Sequence, residues 1–163
     1  MKTIYLVRHA KSSWDMLDVK DRDRPLKERG VHDAYLVSNH LTKEVQKVQS
    51  IFSSPANRAV HTALIFSKNL EIPFSKISIH EELYLSSMSQ ILSFIGTLDS
   101  DLDTIMVFFH NPTITQFINE MTDTEIQNVP TSGIGCLKFY SQNWDLPLGQ
   151  GELISFDYPK KWK

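Results

Sequence analysis

Two runs of this chain leave no polar face for a strand to turn to water: Thr3 to Val7 (TIYLV) and Thr104 to Phe109 (TIMVFF). Successive side chains of a strand point to opposite faces, so a half-solvated strand alternates apolar with polar residues. An almost unbroken apolar run needs cover on both faces, which helices supply when the strands are parallel. The rest of the chain provides such helices. After Pro25, Ala34, Val37, Leu41 and Val45 recur at three- and four-residue spacing. Ser54-Pro55 opens a helix carrying Ala59, Ala63 and Phe66, and Asn111-Pro112 opens one using Ile114, Phe117, Ile118 and Met121. Ser89 to Thr97 is a further helix with Ile91, Leu92 and Ile95 on one face.

Further strands are expected at Ser50 to Ser53 and Lys76 to His80. Gly135 to Tyr140 and Glu152 to Asp157 should also be strands, joined by a loop containing Pro147, Gly149 and Gly151. Residues 10 to 25 are polar and aperiodic, and form a loop. Strands alternating with helices predict a three-layer α/β/α sandwich with a mostly parallel central sheet. At 163 residues, without an internal repeat, a low-complexity tract or a linker, the chain is expected to be one domain spanning 1–163.

Charge and cysteine content narrow the partners. Seventeen Lys and Arg against nineteen Asp and Glu give a net charge of −2, which carries no general nucleic-acid footprint and leaves room only for a local basic pocket. The run Ile4 to Val7 is far too short for a signal-peptide core or a membrane span, and no other stretch reaches spanning length. A soluble, cytoplasmic protein with no membrane partner is expected. Cys136 is the only cysteine, so no intrachain disulfide forms and no cysteine-based metal site exists. Its apolar neighbours imply a buried, inert thiol. His32, His40, His61 and His80 have no spacing suited to a metal triad and belong to helix faces or the surface. No metal and no cofactor are expected.

In open α/β sheets ligands bind beyond the carboxyl ends of the strands. Three polar clusters lie there: Arg8-His9, Ser53-Ser54 leading to Arg58, and His110-Asn111. A phosphoryl group presents several anionic oxygens, and the planar fork of arginine bonds two at once. Arg8 and Arg58 can therefore clamp one from two sides, with the helix starts after Ser54 and Asn111 adding N–H donors. A neutral histidine attacks phosphorus in line, its tautomer fixed by a hydrogen bond from the other ring N–H. A protonated His110 would stabilise charge on the transferring oxygens.

The same residues carry a resemblance. Leu6-Val7-Arg8-His9-Ala10 resembles the N-terminal Arg-His signature of the histidine phosphatase superfamily. Ser53-Ser54-Pro55, followed by Arg58-Ala59 and Thr62-Ala63, resembles its second motif, and His110-Asn111-Pro112 its late His-Asn-Pro element. Arg24-Pro25-Leu26 and Arg29-Gly30 are similar to an early element of the compact SixA-type phosphohistidine phosphatases. The short span from Thr62 to His110 excludes the long helical insertion of the superfamily's sugar-phosphate mutases. The resemblance implies that His9 accepts the phosphoryl group, that Arg8, Arg58 and His110 complete the pocket, and that Arg24 adds a phosphate or substrate contact. Ala10 and Phe109 stand where glycines are common, and each fills space that a glycine would leave.

The resemblance also implies where a proton donor for the leaving group would sit, and Glu82 after the strand at 76–80 occupies that place; the alternative is a solvent-facing carboxylate. Trp14 either rims the pocket or packs against it, and the Lys160-Lys161-Trp162-Lys163 tail is read as a solvated end. The expected substrate is a phosphohistidine-bearing protein. A small phosphate ester is the rival within the same chemistry, and a non-catalytic phosphate-binding module the rival outside it. Phosphate-like anions should occupy the pocket in every case.

Overall fold

The computed structural model describes residues 1–41, 45 and 47–163. Strand β1 (Lys2–Arg8) is followed by α1 (Glu28–Leu41), β2 (Ser50–Ser53), α2 (Asn57–Asn69), β3 (Ile77–Ile79) and α3 (Met88–Gly96). Then come β4 (Thr104–Phe109), α4 (Thr113–Met121), β5 (Ile134–Phe139) and β6 (Glu152–Asp157). The strands form one sheet in the order β3-β2-β4-β1-β5-β6. The pairs β3·β2, β2·β4 and β4·β1 are parallel, while β5 runs antiparallel to both β1 and β6. The expected mostly parallel sheet is what forms.

The two fully apolar runs became the two central strands. Every residue of β4 is buried, as is β1 apart from Arg8. Their period-two alternation divides the core. Ile4, Leu6, Ile105, Val107 and Phe109 face one layer, with Ile91 and Ile95 of α3 and Ile114, Phe117 and Ile118 of α4. Tyr5, Val7, Met106 and Phe108 face the other, with Ala34 and Val37 of α1 and Ala63 and Phe66 of α2. The sandwich thus follows from strands that cannot leave either face wet. Among the described residues no helix is long and apolar enough to cross a membrane.

Departures lie at the margins. The strand expected at Lys76 to His80 is shorter, Ile77–Ile79, because Phe74–Lys76 forms a one-turn 3-10 helix. Val45, the last residue of the expected helical spacing, packs on the α1/α2 side of the core, while residues 42–44 of that run lie outside the described residues. The C-terminal tail is not simply solvated. Pro159–Trp162 folds into a 3-10 turn, Trp162 stacks on His40 of α1 with ring centroids 4.1 Å apart, and Lys163 pairs with the buried Asp33 at 2.9 Å. An aromatic ring and a cation suited to a helix face, rather than the run of lysines, decide where this end goes.

Gly30 fixes the approach of α1 to the loop after His9. The backbone N–H of Lys27 donates to the Lys11 carbonyl at 2.8 Å, and Ser12 bridges to Leu26. A Cβ on Gly30 would fall 2.2 Å from that same Lys11 oxygen. Gly30→Ala should therefore cost about 1–3 kcal/mol, as overpacking against backbone does. In a domain of this size that lowers Tm by about 2–4 °C per kcal/mol, measurable by thermal denaturation. An unchanged Tm would show that the contact yields freely.

Candidate active site

The register of the sheet assembles the site. In the β1·β4 pairing Arg8 stands opposite Phe109, so the next residues, His9 and His110, leave adjacent strands side by side. Their ring centroids are 5.2 Å apart, and the His9 backbone N–H donates to the Phe109 carbonyl. On the other side of β4, Ser53 pairs with Phe108, which places the Ser54 hydroxyl 2.8 Å from His110 Nε2. Arg58, in the first turn of α2, is buried at the same strand ends. Arg8, His9, Arg24, Arg58 and His110 all line one pocket of about 260 Å³, together with Ser12, Trp14, Asp21 and Leu85.

His9 has a defined tautomer. Its Nδ1 lies 2.8 Å from the Ala10 carbonyl oxygen, which only accepts, so Nδ1 carries the proton and donates. The lone pair is left on Nε2. Burial pushes the His9 pKa down to about 4; the Ala10 bond opposes it, and the charges of Arg58, Arg8 and Arg24 add to the fall. Burial, then the charges of His9 and Arg58, pushes His110 to about 3. Both rings are therefore neutral near pH 7. The condition set from sequence, a protonated His110, is therefore not met near pH 7. When the Ser54 hydroxyl donates to Nε2, the neutral His110 keeps its proton on Nδ1, which is buried and has no partner among the described residues.

The arginines share that property. Arg8 donates through Nη1 to the Val129 carbonyl at 2.8 Å, and Arg58 through Nη1 and Nη2 to the backbone and carboxylate of Asp21 at 2.7 and 3.1 Å. The Nε of each is buried without a partner. Buried donors are nearly always satisfied. Two guanidinium N–H groups and one imidazole nitrogen left over around one small pocket form the complement of an anion with several oxygens. By contrast, two amides at the helix starts are spent within the protein: Ala56 N–H on Ser54 Oγ and Thr115 N–H on Asn111 Oδ1.

Arg24 is also brought in. It is buried, donates to Ser12 Oγ at 2.7 Å, pairs with Asp21 Oδ1 at 3.2 Å, and lies 3.5 Å under the Trp14 ring. Trp14 is 66% exposed, so it both rims the pocket and packs on the arginine. Glu82 is not brought in. It sits on the 3-10 turn Glu81–Leu83, which points Leu83 into the core and leaves Glu82 exposed along a separate groove with Ser89, Ser93 and Phe94. Ala10 and Phe109 are accommodated at negative φ. Ala10 N–H donates to Thr62 Oγ1, and the Phe109 ring packs into the α3/α4 core, so neither obstructs the pocket.

Two site residues escaped the sequence reading. Asp21 and Tyr84 are joined by a bond of 2.6 Å from the Tyr84 hydroxyl to Asp21 Oδ2, and the Tyr84 ring stands edge-on to His110. The only prior sign was the alternating charge of Asp21-Arg22-Asp23-Arg24. Cys136 is buried, as expected, and its thiol pKa is raised by burial. Among the described residues no group of three or more His, Cys, Asp or Glu is placed to hold a metal ion.

The depressed histidines have a sign that can be checked. Unfolded, each ring takes a proton near pH 6.5; folded, near 4 and 3. The unfolded chain binds more protons in that window, so stability is full above about 6.5 and is lost as the pH falls toward 4. Ring resonances followed by NMR, assigned with His9→Gln and His110→Gln, should stay unprotonated from pH 8 to about 5. A midpoint near 6.5 for either ring would contradict its burial.

The fold agrees with comparisons to known proteins. Residues 4–91 match the model of the histidine phosphatase superfamily (branch 1). An uncharacterised protein of Mycobacterium leprae is 28% identical over 94% of this chain and 100% of its own length. SixA from Agrobacterium tumefaciens superposes with a TM-score of 0.83 at 25% identity, covering 97% of this chain and 98% of that one. A protein histidine phosphatase SixA complexed with tungstate superposes at 0.82, with 21% identity and 99% of both chains covered. A neutral histidine among arginines at the ends of parallel strands is thus the centre of a compact, SixA-like chain that belongs to the histidine phosphatase superfamily (branch 1).

Proposed function

We propose that the chain is a metal-independent phosphatase that takes a phosphoryl group onto His9 and passes it to water, with phosphohistidine on a protein as its substrate. The observation that carries this reading is the free Nε2 of a neutral His9 beside three buried, unpartnered nitrogens, Arg8 Nε, Arg58 Nε and His110 Nδ1. Nε2 attacks phosphorus as the bond to the leaving group breaks, and the three groups hold the equatorial oxygens where charge accumulates. Water then attacks phospho-His9, which returns the ring to its neutral form and releases phosphate.

The substrate reading rests on a missing acid. An alkyl ester expels a basic alkoxide and requires a proton donor. The carboxyl that lines the pocket is Asp21. Burial pulls it upward, but hydrogen bonds from Tyr84 and Arg58 and the charges of Arg58 and Arg24 outweigh that and hold it at about 2, so it has no proton to give near pH 7. Glu82 faces another groove. A phosphohistidine with a protonated ring expels neutral imidazole and needs no such donor. The compact SixA-like fold and the tungstate held by a SixA relative support the same reading.

His9→Ala should fold and lose turnover, and rapid quenching of the wild type should trap acid-labile phosphate on His9. Chelators should leave activity intact, whereas a loss restored by divalent metal would overturn the metal-free chemistry. Full activity in His9→Ala would defeat the proposal.

Substrate choice is read separately, from kcat/KM on a phosphohistidine protein and on a small alkyl phosphate. The first should be the faster substrate, and Glu82→Gln should change neither by more than about twofold. A drop of about 10²–10⁴ in the variant, the range of general acid catalysis, together with faster ester turnover by the wild type, would favour small esters instead.

A further inference from the structure

Arg58 lines the pocket, and one residue occupies the terminal edge of its guanidinium. A guanidinium carries five N–H donors in a plane, and fixing two of them fixes the direction of the rest. Asp21 takes both terminal nitrogens of Arg58, Nη1 with its main-chain oxygen and Nη2 with Oδ2. The Nε is left over, buried and without a partner among the described residues. The other carboxylate oxygen accepts from Arg24 Nε at 3.2 Å, and Tyr84 donates to Oδ2 at 2.6 Å. One carboxylate therefore joins the loop before α1, the start of α2 and the turn after β3.

We infer that Asp21 is a positioning residue for phosphoryl recognition, holding Arg58 so that it presents its Nε edge to the bound oxygens. The inference rests on the proposed phosphoryl chemistry of the same pocket. Two effects of Asp21 oppose each other there. Its charge repels an arriving anion, and its bonds aim the groups that bind one. The carboxylate side chain is 40% exposed, so water screens the repulsion, while Arg58 is 3% exposed and its charge-assisted bonds act in a low-dielectric setting. Aim outweighs repulsion. Against the upward pull of burial, bonds from Tyr84 and Arg58 hold the Asp21 pKa at about 2, so the carboxylate is ionised near neutral pH.

A double-mutant cycle on tungstate binding, measured by calorimetry, tests this. Asp21→Ala should weaken tungstate binding roughly tenfold, the scale of one charge-assisted hydrogen bond. In the Arg58→Ala background the same change should alter affinity by less than about twofold, because the group it aims is gone. Asp21→Asn keeps a carbonyl acceptor and should fall between; it also carries the cycle if Asp21→Ala does not fold. Additive losses in the two backgrounds would overturn the inference, as would tighter binding in Asp21→Ala, which would mark the carboxylate as merely repulsive. The cycle reads binding alone. A coupled cycle in a protein that turns over no phosphate would defeat the proposed phosphatase function and leave the role of Asp21 standing. Turnover through phospho-His9 with no coupling would do the reverse.

Discussion

The parallel pairing of Lys2–Arg8 with Thr104–Phe109 is the constraint on which the site depends. Adjacent parallel strands end at the same level, so whatever follows them emerges at the same height and at ladder spacing. Here the residues that follow are His9 and His110. A slip of one residue would turn Ile4, Leu6, Ile105 and Val107 toward the wrong helical layer and would separate the two rings at the same stroke. The core and the site are thus specified by one register, and the apolar faces that bury about half of each strand on either side also fix where the chemistry sits.

Around that pair the protein gathers cations at a cost. Arg24 and Arg58 are buried and Arg8 lies half-buried beside two imidazoles, a grouping that like charges and desolvation both oppose. Neutrality of both histidines is one relief, and the carboxylate of Asp21 is another. Carbonyl acceptors supply more, since Val129 takes Arg8 and the Asp21 main chain takes Arg58. Among the described residues three nitrogens, Arg8 Nε, Arg58 Nε and His110 Nδ1, still lack a partner.

The loops that close the pocket are held by side-chain bonds rather than by sheet or helix. Asn111 donates to Asn128 and to the Val129 carbonyl, which anchors the segment that receives Arg8. Arg22 pairs with Glu81 and lies over Tyr84, which joins the charged stretch before Pro25 to the turn after β3. Exposed Trp14 and Leu85 line the pocket, Leu85 with a positive φ of 48°. A leucine there carries backbone strain of the kind that collects at functional sites.

Much of this molecule was legible in its residues. The apolar runs at 3–7 and 104–109 determined two central strands covered on both faces, because no other arrangement keeps those side chains from water. The Arg-His, Ser-Ser-Pro and His-Asn-Pro clusters pointed to one site at the strand ends, and Arg8, His9, Arg24, Arg58 and His110 do line one pocket. Glu82 and Asp21 were decided only by the tertiary structure. Both are carboxylates in polar segments, and nothing local distinguishes them. A single 3-10 turn sent Glu82 outward by burying Leu83, while Asp21, far from Arg58 and Tyr84 in sequence, reached both once α2 and the turn after β3 had packed on the sheet. The sequence by itself determined what must be buried and which groups could bind phosphate; only the packing of distant segments decided which carboxylate those groups would meet.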